Sequence, residues 1–289
     1  MKMNHRNVKA VRLLLAVLAF GLLAACVGTP ADTTPVEDLD DPVGKTNREQ
    51  LLEGDSTIYG LACEGCNDSV VVLLPSDNSD PVTYNVLEAT RLHRVLGRMK
   101  VGDWIGVVRN PEDTTVADLV IDLDDLKGTW CYVVMPHPRG YEKMTPAEEA
   151  RVLAQMPDTL KKQYLIPREY GFTLKRQWTA QSVGYVRRQS ALVDKSPVVY
   201  PPLGYFMEWH ILNGQLVMTS GEFHKQDSTE NMVAVPSRMD TCAIELLTAD
   251  SLVLSSEGMT RGYYRTNRAD VNKLARQKAE EQKQKALKE

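Results

Sequence analysis

Leu126-Lys127-Gly128-Thr129-Trp130 divides the chain. Upstream lie short apolar runs broken by turns rich in Ser, Asp, Asn and Pro. Downstream the runs lengthen and begin to alternate. Gly128-Thr129-Trp130, a G-x-W, heads a strand. Leu126 to Met135 is apolar and stops at Pro136-His137-Pro138, because proline cannot donate to a ladder.

Working outward toward the C-terminus, residues Thr145 to Tyr164 read as helix. Thr145 can cap it, Pro146 suits its first position, and Glu148 and Glu149 complement the dipole. Pro157 predicts two short helices rather than one, forming an insert that lies as a lid or flank. Tyr170 to Trp178 alternates, which puts Tyr170, Phe172, Leu174 and Trp178 on one face of a strand. Asn213-Gly214 is a two-residue hairpin signal. It sets Ile211 opposite Leu216 and Trp209 opposite Met218, so Tyr205, Met207, Trp209, Ile211, Leu216 and Met218 share a face. Cys242 to Leu247 and Leu252 to Ser255 form another hairpin. Gly262-Tyr263-Tyr264-Arg265-Thr266 is the last strand.

These residues carry a resemblance. Leu126 to Thr266 resembles the lipocalin-like domains of Bacteroidales lipoproteins, through Leu126 to Trp130, Tyr170-Gly171-Phe172, Trp209-His210-Ile211, the Leu247 to Leu254 hairpin and Gly262 to Arg265. The resemblance implies an antiparallel β-barrel over residues 125–267. It further implies that Trp130 closes the barrel floor beneath Arg265 in a cation–π contact. The inward face then presents Tyr170, Phe172, Trp178, Met207, Trp209 and Met218. Large aromatic rings with adaptable methionines suit an apolar pocket, and equally suit a filled core. The expectation is a barrel that admits a small apolar or amphipathic ligand between Trp178 and Trp209.

Upstream, residues 55–124 hold about five short strands in Thr57–Ala62, Ser69–Leu74, Val82–Leu87, Trp104–Val108 and Val116–Leu123. This spacing fits a small OB-like β-domain. The fold class expected is therefore mainly β, with a small N-terminal OB-like β-domain followed by a lipocalin-like barrel with a helical insert. Cys63-Glu64-Gly65-Cys66 lies between two strands, not at the helix start that would activate a thiol. A hairpin-loop disulfide, a thiol-redox pair and half of a metal site all stand open, with the disulfide favoured in an oxidising envelope.

Residues 1–25 carry four cations and no acid ahead of the apolar run Leu13 to Ala25, a secretory pattern too short to span a bilayer. Leu23-Ala24-Ala25-Cys26 resembles the lipobox of bacterial lipoproteins, which implies cleavage before Cys26 and its acylation. Val27, not Asp, follows the cysteine and favours the outer membrane. Residues 26–54 lack aromatic residues and read as a tether. Residues 268–289 form an exposed helix, rich in Ala, Lys, Glu and Gln.

The net charge of −4 for the whole chain falls to −8 once the four cations leave (−4 − 4), so phosphate backbones are disfavoured and no nucleic-acid partner is expected. A mean hydropathy of −0.30 excludes a polytopic membrane protein. No G-x-S-x-G, H-E-x-x-H or phosphate loop is present. Glu208, His210, Glu222 and His224 fail as a metal site on hairpin register alone. The chain is expected to need no cofactor or metal and to act without catalysis. Its partners would be the membrane, through the anchor, and a small ligand. The alternatives are an interaction module for another envelope protein, or a thiol-redox protein through Cys63 and Cys66.

Overall fold

The computed structural model describes residues 51–184, 196–225 and 232–286. The secretory segment, Cys26 and most of the tether lie outside the described residues.

The first sheet contains β1 (Ile58–Ala62), β2 (Val70–Pro75), β3 (Val82–Asn85), β4 (Val95–Leu96), β5 (Trp104–Arg109) and β6 (Ala117–Asp122), in the order β3-β2-β1-β5-β6-β4. Helix α1 (Leu87–Arg91) follows β3. Asn85 bridges Val116 in parallel, so the sheet curls back on itself. A three-strand meander, a helix and a hairpin paired back onto β1 are the OB-like arrangement. One face of this sheet buries Val71, Leu73, Tyr84, Ile105, Val107 and Val120 as its own core.

A short helix, α2 (Leu123–Leu126), leads into the second sheet. That sheet is β7 (Gly128–Val134), β9 (Arg168–Leu174), β10 (Ala180–Val183), β12 (Tyr205–Leu212), β13 (Gln215–Lys225), β14 (Met232–Leu247), β15 (Ser251–Ser256) and β16 (Met259–Thr266). Its eight strands run in the order β10-β9-β7-β16-β15-β14-β13-β12, every pairing antiparallel. The ends of this order approach each other. Thr179 bridges Glu208, Trp209 N–H donates to the Trp178 carbonyl at 2.8 Å, and Phe206 N–H donates to Ser182 Oγ at 2.7 Å. The result is a nearly closed, up-and-down, lipocalin-like barrel.

The insert between β7 and β9 contains β8 (His137–Pro138), α3 (Pro146–Gln155) and α4 (Asp158–Tyr164), broken at Pro157. Thr145 and Glu148 cap α3 reciprocally. β8 pairs with β11 (Val198–Val199), and His137 Nδ1 sits 2.6 Å from Glu149 Oε1 of α3. After β16 the chain crosses β9, where Asn272 and Glu169 exchange three hydrogen bonds, and enters α5 (Lys273–Ala286).

Strand pairing fixes the two ends of the barrel. Gly128, Leu174, Leu212, Leu247 and Thr266 mark one end. Val134, Arg168, Val183, Tyr205 and Ser256 mark the other. Asn213 and Gly214, both at positive φ, make the tight hairpin at the first end. A Cβ on Gly214 would fall 2.2 Å from Leu119 of the first sheet, so the sheets meet there without room for a side chain.

Candidate functional site

The first end of the barrel is sealed. Trp130 is fully buried, and its indole N–H donates to the Leu126 carbonyl at 2.8 Å. Arg265 pairs with Trp130 across β16 and β7, with its guanidinium carbon 4.3 Å from the ring centroid. The same guanidinium donates to the Lys127 carbonyl at 2.6 Å and to the Asp125 carbonyl, while Nε reaches Ala249 O. Gly128 has φ of +120°, and a Cβ there would meet Arg265 Nη1 at 2.5 Å. The G-x-W thus leaves room at its glycine for the cation that covers its tryptophan.

The first sheet completes the seal. Tyr59, Leu96, Trp104, Ile121, Leu123 and Leu126 pack in one cluster with Trp130, Leu174, Trp178, Trp209, Ile211, Leu216, Leu247 and Leu252. Trp104 lies 4.9 Å from Trp178 and 6.1 Å from Trp209, ring centre to ring centre. Trp178 and Trp209 are themselves 4.9 Å apart. The ligand gap expected between these two indoles is therefore filled by a third. Trp178 also leaves the strand expected for it. β9 ends at Leu174, and Trp178 occupies the turn into β10 at φ +56°. The Trp209 indole donates to the Lys175 carbonyl at 2.7 Å, tying that turn to β12.

A second correction concerns Met207. The Ile211–Leu216 and Trp209–Met218 pairs hold, but a β-bulge falls between Phe206 and Glu208. The extra residue reverses the alternation, so Phe206 turns toward the barrel core and Met207 and Tyr205 do not. Tyr205 packs instead against Phe223, with ring centres 4.6 Å apart and the planes tilted by 54°. Nothing in composition marks a bulge at this point. The exposed Glu208 beside a buried Trp209 was compatible with either register upstream.

The opposite end, the mouth, gathers a different set of side chains. Tyr132 of β7, Tyr170 and Phe172 of β9, Phe206 of β12 and Tyr263 of β16 form a continuous ring cluster. Tyr132 contacts Tyr263 at 5.4 Å and Tyr170 at 6.5 Å, and Phe172 contacts Tyr263 at 5.1 Å and Phe206 at 5.8 Å. Tyr132, Phe206 and Tyr263 are half-buried, whereas Tyr170 and Phe172 are buried. Two arginines stand among the rings. The Arg261 guanidinium lies 4.4 Å over Tyr132, and that of Arg168 lies 3.8 Å over Tyr200. Burial pushes the Tyr263 hydroxyl up to about 12 and raises those of Tyr132, Tyr170 and Tyr200, with the neighbouring arginines opposing the rise. All four phenols are therefore protonated donors at neutral pH. Of the expected ligand contacts, Tyr170 and Phe172 belong with this end, whereas Met218 lies opposite Trp209 in the sealed-end cluster. Tyr132, Phe206, Tyr263, Arg168 and Arg261 are additions, for which the signal was the Arg261-Gly262-Tyr263 alternation and the Tyr132–Tyr170 register.

The cysteines form no bridge. Cys63, Cys66, Cys131 and Cys242 are free thiols, which corrects the disulfide expected between the first two. The Cys66 sulfur instead accepts the Val72 N–H at 3.3 Å. Among the described residues, no three His, Cys, Asp or Glu side chains converge as a metal ion would need. His210 stacks on Trp178 and sits 3.8 Å from Glu208. Its pKa is lowered by burial, against the pull of Glu208.

The eight-stranded antiparallel barrel, with one sealed end and half-buried aromatic rings toward the other, has a lipocalin-like fold. No family model matches the chain, and no curated protein matches it. Among solved structures, a lipocalin-like protein from Bacteroides thetaiotaomicron is similar at 17% identity, over 48% of this chain and 95% of that one, with a TM-score of 0.25.

Proposed function

We propose that this chain is a lipid-anchored envelope lipoprotein that binds a small apolar or amphipathic molecule at the barrel mouth, and acts by binding rather than by catalysis. The single observation that carries the binding reading is the cluster of half-buried rings toward the end of the barrel away from the first sheet. Tyr132, Phe206 and Tyr263 each keep part of their apolar area accessible. Leu23-Ala24-Ala25-Cys26 supports the anchor, and the residue after the cysteine, Val27, supports the outer membrane as its place.

Two experiments test these parts separately. The neutral fluorophore N-phenyl-1-naphthylamine should bind the mature protein saturably, one per chain, and Tyr263→Ala with Phe206→Ala should weaken it about tenfold or more. A linear, unsaturable signal would remove the binding reading. For the anchor, Cys26→Ser should release the protein from membranes or leave an unprocessed precursor. A processed Cys26→Ser chain that still sediments with membranes would contradict it.

A further inference from the structure

We infer that the mouth selects an anionic amphiphile, with its carboxylate, sulfonate or phosphate group held between Arg168 and Arg261 and its apolar body lying on the Phe172, Phe206 and Tyr263 rings. The inference rests on the binding reading above and narrows it to one ligand chemistry.

The placement of the two cations carries the argument. Arg168 opposes Val134 in the β9–β7 ladder. On the other side of β7, Tyr264 opposes Cys131, which sets Arg261 level with the same Val134. The arginines thus come from the two strands that flank β7, at one height, with backbones about 10 Å apart. Val134, Tyr132 and Trp130 share one face of β7, and Trp130 is in the core, so this face is the inward one. Arg261 shares its face of β16 with Tyr263 and opposes the buried Leu254. Both arginines therefore stand on the lumen side of the wall.

Neither cation has an acidic partner. The ion pairs among the described residues are Arg91–Glu88, Lys127–Asp124, His137–Glu149, Lys161–Asp158, His210–Glu208, Arg238–Asp240 and Lys273–Asp270, and none includes Arg168 or Arg261. Each guanidinium is instead laid flat on a tyrosine, Tyr200 or Tyr132. Arg261 also hydrogen-bonds the Tyr263 hydroxyl, and Arg168 those of Tyr170 and Tyr200, while the further N–H groups of each five-donor fork match the oxygens of a carboxylate or phosphate. Arg261 is exposed and Arg168 half-buried, so water solvates both in the absence of ligand, and two cations at one height on the lumen face favour an anion at that place. The phenols of Tyr132 and Tyr263 beside Arg261 add neutral donors for the same group. A neutral lipid would leave all of these groups unmatched, and a cationic one would be repelled.

A matched pair of fluorophores provides the test. 8-Anilinonaphthalene-1-sulfonate carries a sulfonate on the aromatic body of N-phenyl-1-naphthylamine. The mature protein should bind the sulfonate about tenfold to a hundredfold tighter than the neutral probe, the range of a charge-assisted contact. In the Arg168→Met, Arg261→Met double variant, which keeps the apolar stems, the ratio of sulfonate to neutral-probe affinity should fall to near one. Arg261→Lys keeps the charge and loses the fork, so it should retain part of the preference even if the double variant proves unstable. Dodecanoate should displace the sulfonate probe, and dodecanol should do so far less. Equal affinities for the two probes, or a ratio unchanged by either variant, would overturn the inference while leaving the binding reading intact. Failure of both probes to bind would overturn both.

Discussion

The two ends of the barrel are built from similar residues and have opposite characters. At the sealed end every indole is packed against another ring or a cation, and the two outermost, Trp178 and Trp209, are covered by Trp104 from a separate sheet. At the mouth the aromatics are tyrosine and phenylalanine, half-buried, with hydroxyls and guanidiniums instead of a covering sheet. Aromatic content on an inward face therefore does not by itself mark a pocket. What distinguishes them is whether the polar groups among the rings are satisfied inside the protein. Arg265 donates to three carbonyls of its own chain. Arg168 and Arg261 find tyrosine rings and hydroxyls but no carboxylate.

The sharpest way to break this comparison is at Trp104. Trp104→Ala should cost about 3–5 kcal/mol, as a large core truncation does. It should also lower the unfolding of the barrel, because the cavity opens beneath Trp178 and Trp209. Chemical denaturation should show one transition, shifted as a whole. Separate transitions, with only the first moved, would mean that the sheets are independent.

A somewhat smaller effect comes from the junction itself. Asp122 is fully buried at the cap of α2, and burial raises its pKa to about 7, with Asp125, Asp103 and Asp124 adding to the rise. An unfolded aspartate titrates near ~3.9. Because the folded value is the higher one, the folded state holds a proton that the unfolded chain has released. Stability is full below about pH 4 and is lost as pH rises through about 7, by up to ~4 kcal/mol. Asp122→Asn keeps an oxygen for the Asp125 N–H and should flatten that slope. Urea midpoints of both proteins at pH 5 and pH 8 measure the difference. An equal slope in the variant would assign the dependence elsewhere.

Arg265→Ala should come next, at about 1–3 kcal/mol, from a cation–π contact and charged hydrogen bonds. At the other end, Tyr132→Phe with Tyr263→Phe should change stability by less than about 1 kcal/mol while weakening the sulfonate probe measurably. If these mouth changes cost as much as Arg265→Ala, the mouth is a structural core like the other end. Smallest of all, Cys63→Ser with Cys66→Ser should shift the denaturation midpoint by no more than about 0.5 kcal/mol, as surface changes do. A loss of several kcal/mol would point to a bridge.

Much of the architecture was legible because it rests on local chemistry. Asn213-Gly214 fixed the β12–β13 register, Thr145 with Pro146 fixed the start of α3, and Pro157 divided the insert. The sites went partly astray for two physical reasons. A bulge adds one residue without any compositional mark, and one residue at Met207 moves every upstream side chain to the other face. Burial by a second sheet is also invisible to periodicity. One trace of it was present. Trp104-Ile105-Gly106-Val107 does not alternate, and all four are buried, as a strand covered on both faces requires. Reading that run as two-sided would have placed Trp104 against the barrel and directed attention to the mouth.

The pairing of β16 with β7 has a consequence for how the molecule is made. The chain emerges from its N-terminus, so the first sheet is complete while Trp104, Ile121 and Leu126 still lack the surface that covers them. The first strand of the barrel meets its last only after the whole insert and six intervening barrel strands are in place. The Arg265–Lys127 bond joins residues 138 apart, and the enclosure of Trp130 waits on it. Such long-range closure is slow, and it leaves an apolar face exposed to other chains in the meantime. A chain of this design must find its ending before its beginning is safe. Residues 259–266 are thus the place where a truncation or a premature stop should convert a folded protein into an aggregating one.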